Sequence, residues 1–298
     1  MRFSFWPGPA QPFPDLVELL LLAEQTGWDG AWYADHFMPD GENTTTPWSE
    51  AWTTLAALAA RVPRIRLGTL VTGNSYRHPA VLAKMAATVD HISEGRLVLG
   101  LGSGWQENEH RAYGIPFHTT GGRLARLEEA CQVIQGLFAN EKTTFQGKFY
   151  QLEDAPLEPK PVQARLPLLI GGGGEKVTMR IAARYADEWN VWGNVETLRH
   201  KIGVLEGHCA DLGRDPKTLR RSAVALLFLS DDEAFLGKLR GGTAKRPMIV
   251  GTPAEVRGIV RDYQQVGVDE LVIPDFNLGD RKLETLERFQ SEVASEFR

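Results

Sequence analysis

Cysteine is nearly absent: Cys131 and Cys209 are the two in 298 residues. They lie far apart and in no Cys-x-x-Cys spacing, which excludes a disulfide framework and fits reduced, buried thiols in a reducing compartment. No run of lysine and arginine marks a surface that tracks phosphate backbones, and the formal net charge is −5. Nucleic acid is therefore not an expected partner. Long apolar runs are missing too. The most apolar stretch, Leu16 to Ala23, contains Glu18 and is far too short to span a bilayer. The opening MRFSFWPGP has no extended apolar core of the secretory kind, so a cytoplasmic location away from membranes is expected.

What remains is the composition of a globular enzyme, 43% hydrophobic and 24% charged. A chain of this size buries roughly three quarters of the surface it exposes when unfolded, and needs no metal to hold it together. Short apolar runs alternate with segments of helical period. Strands are expected at Arg2–Trp6, Gly30–Ala34, Arg66–Val71, Leu97–Leu101, Leu168–Ile170, Glu188–Val191, Ser222–Leu229 and Glu270–Ile273. Each is followed by helical sequence, for instance Asp15–Thr26, whose Leu16, Leu19, Leu20 and Ala23 share a face and end at Gly27. Eight such units predict parallel strands joined by right-handed crossovers, a single (β/α)8 TIM barrel over residues 1–298. Two insertions break the rhythm, a hairpin with an extended arm at about 143–161 and a polar, mobile segment at about 230–247. In a barrel they belong on the C-terminal face, where substrate lids sit.

Strand ends on that face carry the chemistry. The second strand ends in Tyr33-Ala34-Asp35-His36-Phe37. A carboxylate beside an imidazole supplies an anion and a group that titrates near neutrality, or else Asp35 caps a turn and His36 fills a polar corner. The third runs into Thr72-Gly73-Asn74, small residues against which a flat ring can lie, or an ordinary loop. Gly100-Leu101-Gly102-Ser103-Gly104 has GxGxG rather than GxGxxG spacing, so a dinucleotide fold is rejected. Glu107, Glu109 and His110 do not make HExxH, and no metal is expected. The sharpest local signal is Leu168-Leu169-Ile170 leading into Gly171–Gly174, then Glu175-Lys176. Four glycines before a helix start let backbone N–H groups converge on an anion, with Lys176 and Arg180 adding charge. A tight turn is the alternative, but four glycines exceed what one turn needs. Trp105, Trp189 and Trp192 near strand ends suit a planar cofactor and an apolar substrate, or plain core packing.

Together, Ala34–Phe37, Gly68–Val71, Gly102–Glu109, Gly171–Lys176, Tyr185–Asn190 and Gly251–Glu255 resemble the luciferase-like monooxygenase superfamily, and within it the actinobacterial F420-dependent oxidoreductases. The resemblance runs almost the whole chain. It implies coenzyme F420, with FMN as the alternative, lying across the barrel mouth with its phosphate at Gly172, Gly173, Gly174, Glu175 and Lys176. It further implies ring contacts from Asp35, Val71, Gly73 and Asn108, proton transfer by His36, and a cis peptide at Leu70–Val71. The implied reaction is hydride transfer between deazaflavin and a carbonyl, activated alkene or alcohol, in a homodimer supplied by a flavin or F420 reductase. An FMN-dependent monooxygenase and a non-catalytic flavin-binding protein are the rivals. One departure stands out: Trp105 occupies the position where sugar-phosphate dehydrogenases of the superfamily carry a catalytic glutamate. That implies a more apolar substrate than glucose 6-phosphate.

Overall fold

The computed structural model describes residues 1–242 and 245–298. In chain order its strands are β1 (Arg2–Trp6), β2 (Gly30–Tyr33), β3 (Arg66–Thr69), β4 (Thr72–Gly73), β5 (Leu97–Gly102), β6 (Lys142–Gln146), β7 (Gln151–Pro156), β8 (Leu168–Gly171), β9 (Glu188–Trp192), β10 (Arg220–Val224), β11 (Leu226–Leu229), β12 (Met248–Gly251) and β13 (Glu270–Pro274). The helices are α1 (Phe13–Thr26), α2 (Ala51–Arg61), α3 (Pro79–Ile92), α4 (Glu107–Tyr113), α5 (Thr120–Ala139), α6 (Thr178–Tyr185), α7 (Val195–Asp211), α8 (Glu233–Arg240), α9 (Pro253–Gln265) and α10 (Lys282–Glu292). Parallel pairing runs β3-β2-β1-β13-β10-β9-β8-β5, and β3 pairs back onto β5 to close the ring. This is the expected TIM barrel.

Helices such as α2, α3 and α6 pack one buried face each on strands of the ring. In α1, Leu16, Val17, Leu19, Leu20 and Ala23 are buried, and Gly27 ends the helix at φ 95° with its N–H on the Ala23 carbonyl. A Thr252–Glu255 capping box starts α9. The barrel interior is a separate layer of Trp32, Leu70, Val98, Leu169, Val224 and Val272. Gly68 makes room for the Trp32 indole, since a Cβ there would lie 2.6 Å from its ring. Beneath that layer Arg66 bridges Glu188 and Glu270, and the Trp32 indole N–H donates to Glu270 at 2.9 Å. The N-terminal end of the barrel is thus closed by paired charge, which leaves the C-terminal end for function.

Two details differ from the sequence reading. The expected seventh strand divides at Ala225: β10 stays in the barrel, while β11 leaves it and pairs with β12 in a small separate sheet. The 230–247 insertion contains α8, capped by Asp232, and Thr243 and Ala244 within it lie outside the described residues. The 143–161 insertion holds the antiparallel β6–β7 hairpin.

Candidate active site

Beyond Tyr33 the chain turns across the C-terminal face of the barrel, and α4 fixes that turn. Four polar groups of the β2–α2 loop meet the first turn of α4. The Gln106 amide donates to the Met38 carbonyl at 2.8 Å and Asn108 to the Pro39 carbonyl at 3.0 Å. Glu109 accepts from the Phe37 N–H at 2.8 Å, and its other oxygen meets His36 Nδ1 at 2.7 Å. The Tyr76 hydroxyl donates to that same oxygen. Glu109 has no exposed surface. Burial works to raise its carboxyl, but the hydrogen bonds from His36, Tyr76 and Phe37 outweigh this and hold it below the ordinary glutamate range. Burial and the Glu109 anion push the Tyr76 hydroxyl up, so it stays a donor.

Asp35 takes its hydrogen bonds from outside this cluster. It is fully buried and paired in two hydrogen bonds with Arg77, at 2.6 and 3.0 Å, while Arg77 also reaches Glu50 at 2.7 Å. Burial pushes the Asp35 carboxyl up from its usual range, and the guanidinium opposes it.

The face holds a cavity of about 1010 Å³. His36, Val71, Gly73, Gly172 and Gly173 line it, among the residues singled out from sequence. Asp35, Asn108, Gly174, Glu175 and Lys176 do not line it. The Leu70–Val71 peptide is cis. Val71 is wedged between two glycines: a Cβ on Gly102 or on Gly171 would come within 2.7 Å of its methyls. Gly102 of β5 and Gly171, the first glycine of the run, therefore make room for a side chain, and Gly100 for the Thr69 carbonyl, roles that spacing alone did not show.

At the glycine run, α6 begins only at Thr178, three residues after Glu175, so the glycines do not open directly into a helix. Positive φ falls on Gly172, at 130°. The Gly172 carbonyl accepts from the Trp189 indole at 2.9 Å, and that of Gly173 from Lys201 at 2.8 Å. Lys176 is exposed, and the cation seated on the loop is Lys201 of α7, which also pairs with Glu175 at 2.9 Å. Lys201 lies in an ordinary amphipathic helix pattern and carried no sequence signal. Other walls are aromatic: Trp6, Trp48, Trp105, Trp192 and Phe276. Trp105 is 59% exposed and stands edge-on to His36, ring centres 5.5 Å apart. Arg246 stacks over Trp192 at 4.7 Å and, with Lys245, gives the cavity a cationic edge. Among the described residues no three His, Cys, Asp or Glu side chains gather to hold a metal ion, and no helix is long and apolar enough to cross a membrane.

Residues 1–239 match the family described as luciferase-like monooxygenase. The chain belongs to that family. It is 35% identical over 280 residues to an F420-dependent glucose-6-phosphate dehydrogenase of Microbacterium testaceum, covering 88% of this chain and 80% of that one. A protein of the same description from Amycolatopsis mediterranei is 38% identical over 175 residues, 58% of this chain and 51% of the relative. The chain thus spans about half the length of some of the curated relatives it matches. In fold it resembles the coenzyme F420 dependent tetrahydromethanopterin reductase of Methanopyrus kandleri, with a TM-score of 0.85 at 19% identity over 100% of this chain and 99% of that one. This member of the luciferase-like family keeps the barrel and its glycine-lined mouth, with an indole, Trp105, beside His36.

Proposed function

We propose that this chain is an F420-dependent oxidoreductase that moves a hydride between deazaflavin and a small organic substrate, a carbonyl, activated alkene or alcohol. One observation carries the reading: His36, anchored through Nδ1, lines the same 1010 Å³ cavity as Val71, Gly73, Gly172 and Gly173. The volume accommodates a tricyclic ring with a substrate beside it. The residues fit that cofactor. A Cβ on Gly173 would lie 3.0 Å from Val191 and 3.3 Å from Lys201, so bare backbone there leaves the most room for a ligand phosphate beside that packed wall. The names of the 35–38% identical relatives point to the same cofactor.

When bound, the deazaflavin supplies a ring carbon that accepts or donates hydride. The protein does the rest. Val71 and Gly73 back the ring. Gly172, Gly173 and Gly174 hold the phosphate, with Lys201 beside them and Glu175 and Lys176 at the rim. Asp35 and Asn108 act on the cofactor through the β2–α2 loop, which Asp35 anchors through Arg77 and Asn108 through the Pro39 carbonyl. His36 takes or gives the substrate proton. The aromatic walls select a flat, apolar substrate body, and the Lys245–Arg246 edge suits an acidic group on it. The Trp105 indole is a donor only and cannot take a proton from a sugar hydroxyl, which argues against glucose 6-phosphate oxidation at this site. A cytoplasmic homodimer served by an F420 reductase completes the proposal.

Titration of the purified protein with F420 and with FMN, followed by ring fluorescence, tests the reading. F420 should bind at least tenfold tighter, a gap of about 1.4 kcal/mol. Equal or reversed affinities would turn the assignment to an FMN-dependent monooxygenase, and tight binding without turnover to a flavin-binding protein.

A further inference from the structure

We propose that Glu109 is a positioning residue that fixes which nitrogen of His36 carries the proton, leaving Nε2 as the acceptor presented to the cavity. The geometry leaves little choice. The Phe37 N–H can only donate, and it occupies one Glu109 oxygen at 2.8 Å. The other oxygen takes the Tyr76 hydroxyl and His36 Nδ1. A carboxylate is an acceptor at both oxygens, so Nδ1 must be the N–H of a neutral His36. His36 lines the cavity, and with Nδ1 held by Glu109 its free nitrogen is Nε2. An N–H at Nδ1 makes Nε2 a base for a substrate hydroxyl. Once Nε2 is protonated, the buried Glu109 carboxylate faces the imidazolium directly. The chemical use of that nitrogen rests on the proposed function; the tautomer does not.

Glu109→Gln makes the idea sharp. Phe37 N–H still requires an oxygen, which pins the glutamine carbonyl toward the loop and turns its NH2 toward His36 and Tyr76. Nδ1 then becomes an acceptor and the proton moves to Nε2. Nitrogen NMR of the full chain, free of cofactor and labelled in histidine with 15N, reads this at about pH 8, where an ordinary imidazole is neutral. His36→Gln assigns the signals among the seven histidines. Wild type should show Nδ1 as the protonated, pyrrole-type nitrogen, and in Glu109→Gln the pyrrole-type and pyridine-type signals should exchange places. Glu109→Asp keeps a carboxylate and should keep the wild-type pattern. An Nε2–H tautomer in wild type, or one pattern in wild type and Glu109→Gln, overturns the proposal. If Glu109→Gln does not fold, the wild-type tautomer alone decides. Should the tautomer exchange while F420 fails to bind, the positioning role stands and the cofactor assignment falls.

Discussion

Arg77→Met keeps an unbranched apolar stem and removes the guanidinium with its charge, and it bears on what Asp35 does. In the native protein the Asp35 carboxylate has no exposed surface and its two oxygens are both taken by Arg77, at 2.6 and 3.0 Å. Methionine offers neither hydrogen bond, so a carboxyl remains buried without its cation. Breaking such a pair from one side costs about 3–5 kcal/mol. At roughly 2 °C per kcal/mol for a domain of this size, the melting temperature should fall by about 6–10 °C. The pH dependence gives a second handle. Burial already pushes the Asp35 carboxyl above its usual range, and loss of Arg77 pushes it further. A raised carboxyl binds its proton more readily in the folded than in the unfolded chain. Its contribution is therefore most favourable below the unfolded value near 3.8 and is lost as pH rises through the folded value. The deficit of Arg77→Met should shrink in mild acid and grow toward neutrality, and Asp35→Asn combined with Arg77→Met should recover much of it. Urea unfolding followed by tryptophan fluorescence at several pH values measures both. A loss under about 1 kcal/mol, or one that deepens as pH falls, would refute the argument, and a cofactor-affinity loss in Asp35→Asn without any stability change would make Asp35 a direct ligand.

Three further outcomes follow from the same geometry. Gly102→Ala drives a methyl onto Val71 at 2.7 Å and should cost about 1–3 kcal/mol in thermal denaturation, recovered in large part when Val71→Ala is added; no recovery would show that Val71 is not the obstacle. Gly173→Val should lower F420 affinity at least tenfold in fluorescence titration, because its branches must displace Val191, Lys201 or the ligand; normal binding would reduce the loop to a turn. Glu109 is held below its ordinary value of 4.5, so the stability it lends is complete above that pH and is lost as pH falls through the lower, folded value. The melting gap between wild type and Glu109→Gln should close as the pH falls below about 4.5 and Glu109 takes its proton; a gap that stays fully open in strong acid contradicts the pairing.

The barrel was legible because each strand is a short apolar run bounded by turn residues, and Leu97–Gly102, buried on both faces, is the plainest case. The division at Ala225 was not, since Ala223–Leu229 is uniformly apolar and only its partners change, from β9 and β13 to β12. Strand ends drew attention to His36, Val71 and Gly73, which do line the cavity. What holds them was hidden by distance along the chain. His36 and Glu109 are 73 residues apart, and Asp35 and Arg77 are 42. Glycine spacing is read naturally as ligand room, yet Gly102 and Gly171 are spent on Val71. The late start of α6 was missed because Glu175-Lys176-Val177 suits a helix, whereas Val177 sits at φ −123° and ψ −56°.

The closed floor beneath Trp32 has a kinetic consequence. With Arg66, Glu188 and Glu270 sealing one end, molecules enter and leave by the loop side, as through a bag with one opening. Whatever settles deepest must arrive first and depart last. Under the proposed function, two reactants that overlap in such a cavity would bind in a compulsory order, and a product covered by its co-reactant would not leave before it. Saturating the upper molecule would then slow release of the lower one, so high substrate should lower turnover rather than leave it flat.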